Sequence, residues 1–180
     1  MVMFPKEDID ALESEFGDVA RSSAVAGADS VSVLICANSF VDVDYYGPGC
    51  YGIRTGEEND GCSCWRFDSL KPVVSFLWKY KKDLLKRKYQ MDLFLGIIKS
   101  GLEERGESYK LLNGMVSCEH IYVGGGSLKV EGYWFAQQAV LFSPKFKMIV
   151  EGKDIDGVHA MKFLDAILDF RRKQRGGHEG

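Results

Sequence analysis

The clearest periodicity in the chain lies in residues 69–104, SLKPVVSFLWKYKKDLLKRKYQMDLFLGIIKSGLEE. Apolar side chains recur in it at every seventh position, at Leu70, Leu77, Leu84, Met91 and Ile98. This spacing places them on one face of an α-helix, and the serine at position 69 suits a helix N-cap. An unbroken helix to residue 104 would be about 50 Å long. The sequence therefore predicts two helices here, or a bend near residues 89–92.

Strand patterns lie on both sides of this helical stretch. Apolar runs and alternating apolar and polar residues predict strands at 31–37, 40–46, 50–54, 115–123, 128–142 and 146–152. The first two form a predicted hairpin, and the long strand at 128–142 is expected to bend at Gly132. Amphipathic helices are predicted from Lys6 to Ala20 and near the end of the chain, from about residue 156 to residue 173.

This order of strands, then helix, then strands predicts an α+β fold rather than a parallel βαβ architecture. We expect one antiparallel sheet of five or six strands. The long middle helix and the C-terminal helix would pack on it. A chain of 180 residues suits one domain with a full hydrophobic core. The sequence thus predicts a single domain over residues 1–175 and a disordered tail over residues 176–180.

Charge is distributed unevenly along the chain. Residues 1–60 hold 12 Asp and Glu against 3 Lys and Arg, a net charge of −9. The remaining residues hold 14 against 20, a net charge of +6, so the whole chain carries −3. That total is too small to predict a polyanionic partner. The asymmetry either marks an interaction face or disappears when both signs mix on the folded surface.

The sequence predicts a cytoplasmic protein. Its first residues lack the basic and apolar segments of a secretory signal, and no stretch approaches the roughly 20 apolar residues that cross a bilayer. Five cysteines in 180 residues do not make a disulfide-dense scaffold. We therefore expect reduced thiols in the cytoplasm and no contact with a membrane.

Two pairs of residues that commonly bind zinc are each separated by one residue in the sequence. Cys62 and Cys64 form one pair, and Cys118 and His120 form the other. On extended segments each pair lies on one face, and together they would supply the three thiolates and one imidazole of a tetrahedral zinc site. Alternatively, the cysteines are small buried hydrophobes, or the first two form a disulfide. We expect no cofactor, with zinc as the alternative.

Acidic and tyrosine residues crowd the segment DVDYYGPGCYG at positions 42–52. The segment predicts an exposed loop that binds a partner through Asp42, Asp44, Tyr45, Tyr46 and Tyr51. The partner would be another protein, and an acidic patch fits a basic toxin or enzyme. The two aspartates also share a strand face, where paired carboxylates can hold Mg²⁺ or simply face solvent.

Basic residues cluster between Lys79 and Lys88, with aromatic residues among them. A basic helix face of this kind can contact nucleic-acid phosphates. The same residues also form the solvated outside of a helix whose leucines point inward. Because the whole chain is acidic, the sequence argues against a nucleic-acid partner.

No catalytic motif stands out in the sequence, which contains only three histidines. A dinucleotide-binding loop, a phosphate-binding P-loop and the zinc-protease pattern H-E-x-x-H are all missing. The sequence therefore predicts a non-enzymatic intracellular binding protein, of the inhibitor, immunity or adaptor type. A zinc-dependent protein or enzyme is the alternative, and a nucleic-acid-binding protein comes third.

Overall fold

The computed structural model describes residues 2–23, 25–36, 39–55, 65–113 and 118–177. Spatial contacts between Cα atoms divide the chain into two compact units, Met1–Leu85 and Lys86–Gly180. Over these described residues, each unit contains one antiparallel five-stranded sheet. The predicted α+β class is confirmed, although the strands form two sheets of five where the sequence predicts one sheet. A single domain over residues 1–175 stays a prediction.

The described part of the first unit consists of one short helix, one sheet and the beginning of the long helix. The short helix α1 is Lys6–Phe16, and the long helix α2 is Leu70–Glu104. The strands pair in chain order and are β1 (Val19–Arg21), β2 (Asp29–Cys36), β3 (Ser39–Gly47), β4 (Cys50–Arg54) and β5 (Trp65–Phe67). The strands β2, β3 and β4 match the predicted hairpin and the short strand that follows it.

Helix α1 is shorter than predicted, because the chain turns at Gly17. This glycine has a φ of 89°, a left-handed conformation that favours a residue without Cβ, and its N–H bonds to the carbonyl of Glu13 at 2.8 Å. The residues beyond it, predicted to be helical, instead form β1 and pair with β2.

The core of the first unit lies on one face of its sheet. The ring of Phe4 contacts the rings of Tyr45 and Tyr51, with centroids 5.5 and 6.2 Å apart. Leu12 of α1 and Leu77 of α2 are fully buried. Because side chains alternate along a strand, the aspartates of β3 occupy the opposite face of the sheet.

Helix α2 is continuous over 35 residues, so the predicted break into two helices does not occur. Residues up to Leu85 belong to the first unit and residues from Lys86 belong to the second. Four of the five predicted heptad positions are buried, namely Leu77 and Leu84 in the first unit and Met91 and Ile98 in the second, whereas Leu70 at the start of the helix is half-buried. Burial of apolar side chains before and after residue 85 therefore stabilises α2 in both units.

The second unit repeats the order of helix, five strands and helix. Its strands also pair in chain order and are β6 (Tyr109–Asn113), β7 (Cys118–Val123), β8 (Leu128–Tyr133), β9 (Gln138–Phe142) and β10 (Lys147–Glu151). The predicted long strand at 128–142 is in fact two strands, because the chain turns between Trp134 and Gln137. Helix α3 (Gly157–Gly176) follows, and residues 178–180 of the predicted tail lie outside the described residues.

Helices α2 and α3 bury one face of the second sheet. The rings of Phe94 and Phe163 meet edge to face with centroids 5.3 Å apart. Gly132 of β8 permits close contact with α2, since a Cβ at this position would lie 2.8 Å from both Met91 and Leu95. None of helices α1, α2 and α3 has, over its described residues, the apolar length that a bilayer crossing needs.

Candidate functional site

A polar cluster occupies the face of the second sheet opposite the face that packs against α2. It consists of alternate residues of β7 and the residues opposite them on β8, so each pair shares one face. The pairs are Cys118 with Tyr133, His120 with Glu131 and Tyr122 with Lys129. Sequence spacing predicts the shared face of Cys118 and His120. The residues of β8 were missed, because the register between the strands depends on the intervening turn.

Glu131 is the centre of this cluster and is almost fully buried. Its Oε1 lies 2.5 Å from Nζ of Lys129 and 3.9 Å from Nε2 of His120, and Tyr133 donates its hydroxyl to Oε2 at 2.5 Å. Burial favours the neutral acid, but the hydrogen bonds from Lys129 and Tyr133 outweigh it and lower the pKa of Glu131. The cluster therefore holds a buried carboxylate at neutral pH.

Cys118 lies at one end of the cluster as a buried free thiol. Burial, together with the charge of Glu131, raises the pKa of this thiol from 9.0 to about 11. At neutral pH the sulfur is protonated, which does not suit a nucleophile or an electropositive redox site. Cys62 and Cys64 lie outside the described residues, so the four-residue zinc set with Cys118 and His120 stays a prediction.

We expect Cys118 to react slowly with iodoacetamide in the folded protein. The raised pKa corresponds to a thiolate population about 100-fold smaller than that of an ordinary cysteine. Alkylation followed by peptide mass spectrometry at neutral pH, with and without urea, measures the ratio of the two rates. The half-buried Cys50 provides an internal comparison in the same digest. Equal rates for Cys118 in the folded and unfolded protein would contradict the expectation.

The predicted partner-binding segment forms the hairpin of β3 and β4 rather than a long loop. Asp44, Tyr45 and Tyr51 are buried, whereas Asp42 and Tyr46 are partly exposed. The tyrosines at 45 and 51 contribute to the core of the first unit, and Tyr51 donates a hydrogen bond to Asp8 at 2.5 Å. Binding of a partner through these five residues stays a prediction. Asp42 and Tyr46 are the members of the set with the most solvent access.

Arg54 of β4 lies between the two aspartates of β3. Its Nε is 2.8 Å from Oδ2 of Asp44, and its Nη2 is 3.1 Å from Oδ2 of Asp42. Ser30 donates a hydrogen bond to Asp44 at 2.6 Å, and Ser32 donates a short hydrogen bond to Asp42. The guanidinium group thus places a positive charge against both carboxylates, the pair for which the sequence leaves open Mg²⁺ binding or a solvent-facing strand.

The basic residues of the predicted nucleic-acid face differ in their surroundings. Lys79, Lys82 and Lys86 are exposed on α2. Arg87 donates to the carbonyl of Phe135 at 2.9 Å, and Lys88 pairs with Asp92 on the next turn of the helix. Binding of nucleic acid through Lys79–Lys88 stays a prediction.

A group of potential metal ligands at the start of α3 has a structural role. Asp154, Asp156 and His159 bring ligand atoms within 4.8 Å of one another. Asp156 caps α3 by accepting a hydrogen bond from the backbone N–H of His159 at 2.9 Å, and its carboxylate also contacts the imidazole at 2.7 Å. These hydrogen bonds lower the pKa of Asp156 and explain the arrangement as a helix cap.

An open groove of about 770 Å³ runs along β6, an edge strand of the second sheet. It is lined by residues 108–112 together with Tyr122, Gly125 and Gly126. Two lining residues, Leu111 and Leu112, are 47% and 56% exposed. Strand β6 is not predicted from the sequence, because YKLLN does not alternate apolar and polar residues.

No protein-family model, curated protein or solved structure matches this chain. The class that the described residues define is an α+β protein with two five-stranded antiparallel sheets.

Proposed function

We propose that this chain is a non-enzymatic binding protein of the inhibitor, immunity or adaptor type, acting in the cytoplasm through contacts with another protein. The observation that carries the proposal is the edge strand β6, where the adjacent leucines at 111 and 112 are exposed beside an open groove. Neighbouring exposed leucines on a strand that has a partner on one side only, among the residues that the structure describes, favour association with another chain.

The shape of the groove supports binding of an extended segment. Five consecutive residues, 108–112, line it, so it follows the edge of the strand rather than one face of the sheet. Strand β6 pairs with β7 on one side only within the described residues. A partner segment would add a sixth strand through main-chain hydrogen bonds and contact one leucine on each face. Lys110, which also lines the groove, favours a segment with an acidic residue.

The polar cluster gives less support to an enzyme. Its thiol at Cys118 is protonated at neutral pH, and its carboxylate at Glu131 already accepts hydrogen bonds from Lys129 and Tyr133. Such satisfied networks commonly stabilise a sheet. A basic protein partner that contacts the hairpin of β3 and β4 remains an expectation from the sequence, with Asp42 and Tyr46 as its accessible residues.

We expect the double variant Leu111→Asp with Leu112→Asp to lose its protein partner, while Leu93→Asp keeps it. Leu93 is a matched control, since it is 52% exposed in the same unit but lies on α2. Carboxylates on β6 would be desolvated and unpaired in the complex, which predicts at least about tenfold weaker binding. Quantitative affinity purification identifies the partner, and calorimetry with its extended segment measures the loss. Equal binding by both variants would contradict the proposal.

A further inference from the structure

We propose that β10, the opposite edge of the second sheet, pairs with β10 of a second copy of this chain. The two strands would run antiparallel about a two-fold axis at Ile149 and join two five-stranded sheets into one. Ile149 is 49% exposed, and β10 pairs only with β9 among the described residues. The inference is independent of the proposed function, which concerns the edge at β6.

The hydrogen bonds of the hairpin show which backbone groups of β10 face outward. At one end of the hairpin the N–H of Ser143 bonds to the carbonyl of Phe146, and at the other the N–H of Gly152 bonds to the carbonyl of Gln137. Hydrogen-bonded pairs recur at every second residue of an antiparallel ladder. Met148 and Val150 therefore bond to β9. The N–H and C=O groups of Lys147, Ile149 and Glu151 point away from β9, toward the open edge.

These three outward-facing residues are complementary to themselves. In a two-fold arrangement centred on Ile149, this residue forms a hydrogen-bonded pair with its own copy. Lys147 then lies opposite Glu151 of the second copy, and Glu151 lies opposite Lys147 of the second copy. Opposite residues of an antiparallel pair share one face, so both charge pairs are cross-strand ion pairs. The same register thus gives hydrogen-bond partners to the outward-facing N–H and C=O groups of β10 and pairs Lys147 with Glu151 of the second copy.

The side chains required for this pairing are available on the surface. Lys147 and Glu151 are exposed, and neither forms an ion pair within the described part of the chain. Their contacts are with β9, where Lys147 lies over the ring of Phe142 and Glu151 accepts a hydrogen bond from Gln138. Because five residues from each copy form a small interface, we expect a weak dimer that grows with concentration.

Sedimentation velocity over a concentration series tests the proposal. Lys147→Glu and Glu151→Lys each place two pairs of like charges opposite one another, so each variant alone should dimerise at least about tenfold more weakly than the unmodified chain. An equimolar mixture of the two variants restores both ion pairs. We therefore expect a heterodimer in the mixture, which native mass spectrometry distinguishes by its mass.

Lys110→Glu is the matched control, because it reverses an exposed lysine on the other edge of the same sheet and should leave dimerisation unchanged. Circular dichroism confirms that each variant is folded. The proposal is overturned if the unmodified chain stays monomeric at the highest soluble concentration, if neither charge reversal weakens the dimer, or if the mixed variants do not associate.

Discussion

Asp44→Ala should lower the free energy of unfolding by about 3 kcal/mol, whereas Asp42→Ala should lower it by less than about 1 kcal/mol. The two aspartates lie on the same strand face and contact the same arginine, Arg54. Their exposure differs, since the side chain of Asp44 is 0% exposed and that of Asp42 is 28% exposed. The arginine side chain is itself only 17% exposed, so losing its buried partner leaves a charge that water solvates poorly.

Urea unfolding at neutral pH, followed by circular dichroism, measures both effects. Asp42→Ala is the control, because it removes a carboxylate from the same arginine at a solvated position. Equal losses of stability in the two variants would contradict the prediction, because they would show that the burial of Asp44 adds nothing to the effect of removing a carboxylate from Arg54. A charge-reversal test of partner binding should accordingly use Asp42, because a lysine at position 44 would place two buried cations side by side.

The aspartates also show how far a sequence pattern determines a site. Alternation of valine and aspartate correctly predicts the strand and the face that each side chain occupies. It does not predict the burial of Asp44, because that depends on Arg54, which the β3–β4 register brings beside it. Sequence spacing therefore assigned the residues to a face, while only pairing between strands revealed that one carboxylate is enclosed.

Predicted and missed elements of the fold differ in the length and strength of their sequence patterns. The heptad spacing of α2 and the apolar run of β2 are long, strong patterns, and a helix and a strand form where they predict them, although α2 is one helix where the sequence predicts two or a bend. The strands β1 and β5 have three residues each, too few to establish a pattern, and β6 does not alternate, so tertiary pairing decides their conformation. In the polar cluster, the intervening turn sets which residue of β8 faces His120.

Phe163→Ala should lower the free energy of unfolding by about 4 kcal/mol. Phe163 is fully buried on α3 and meets Phe94 of α2 edge to face. Truncation removes a large apolar contact and leaves a cavity between the two helices, which a closely packed interior fills only in part. Phe163→Leu keeps most of the volume and should cost roughly half as much or less. Urea unfolding of the three proteins measures the series, and similar stabilities for the alanine variant and the unmodified chain would contradict the packing argument.

The same variant tests whether the chain unfolds as the single domain that the sequence predicts. Phe163 lies in the second unit, whereas Trp65 and Trp78 report on the first unit and Trp134 reports on the second. Because α2 supplies buried residues to both units, loss of one unit removes packing partners from a helix that the other also uses. We therefore expect Phe163→Ala to shift the unfolding transitions of both units equally. A Trp134→Phe background leaves Trp65 and Trp78 to report on the first unit, and a Trp65→Phe, Trp78→Phe background leaves Trp134 to report on the second. A shift confined to Trp134 would instead define two independently unfolding domains.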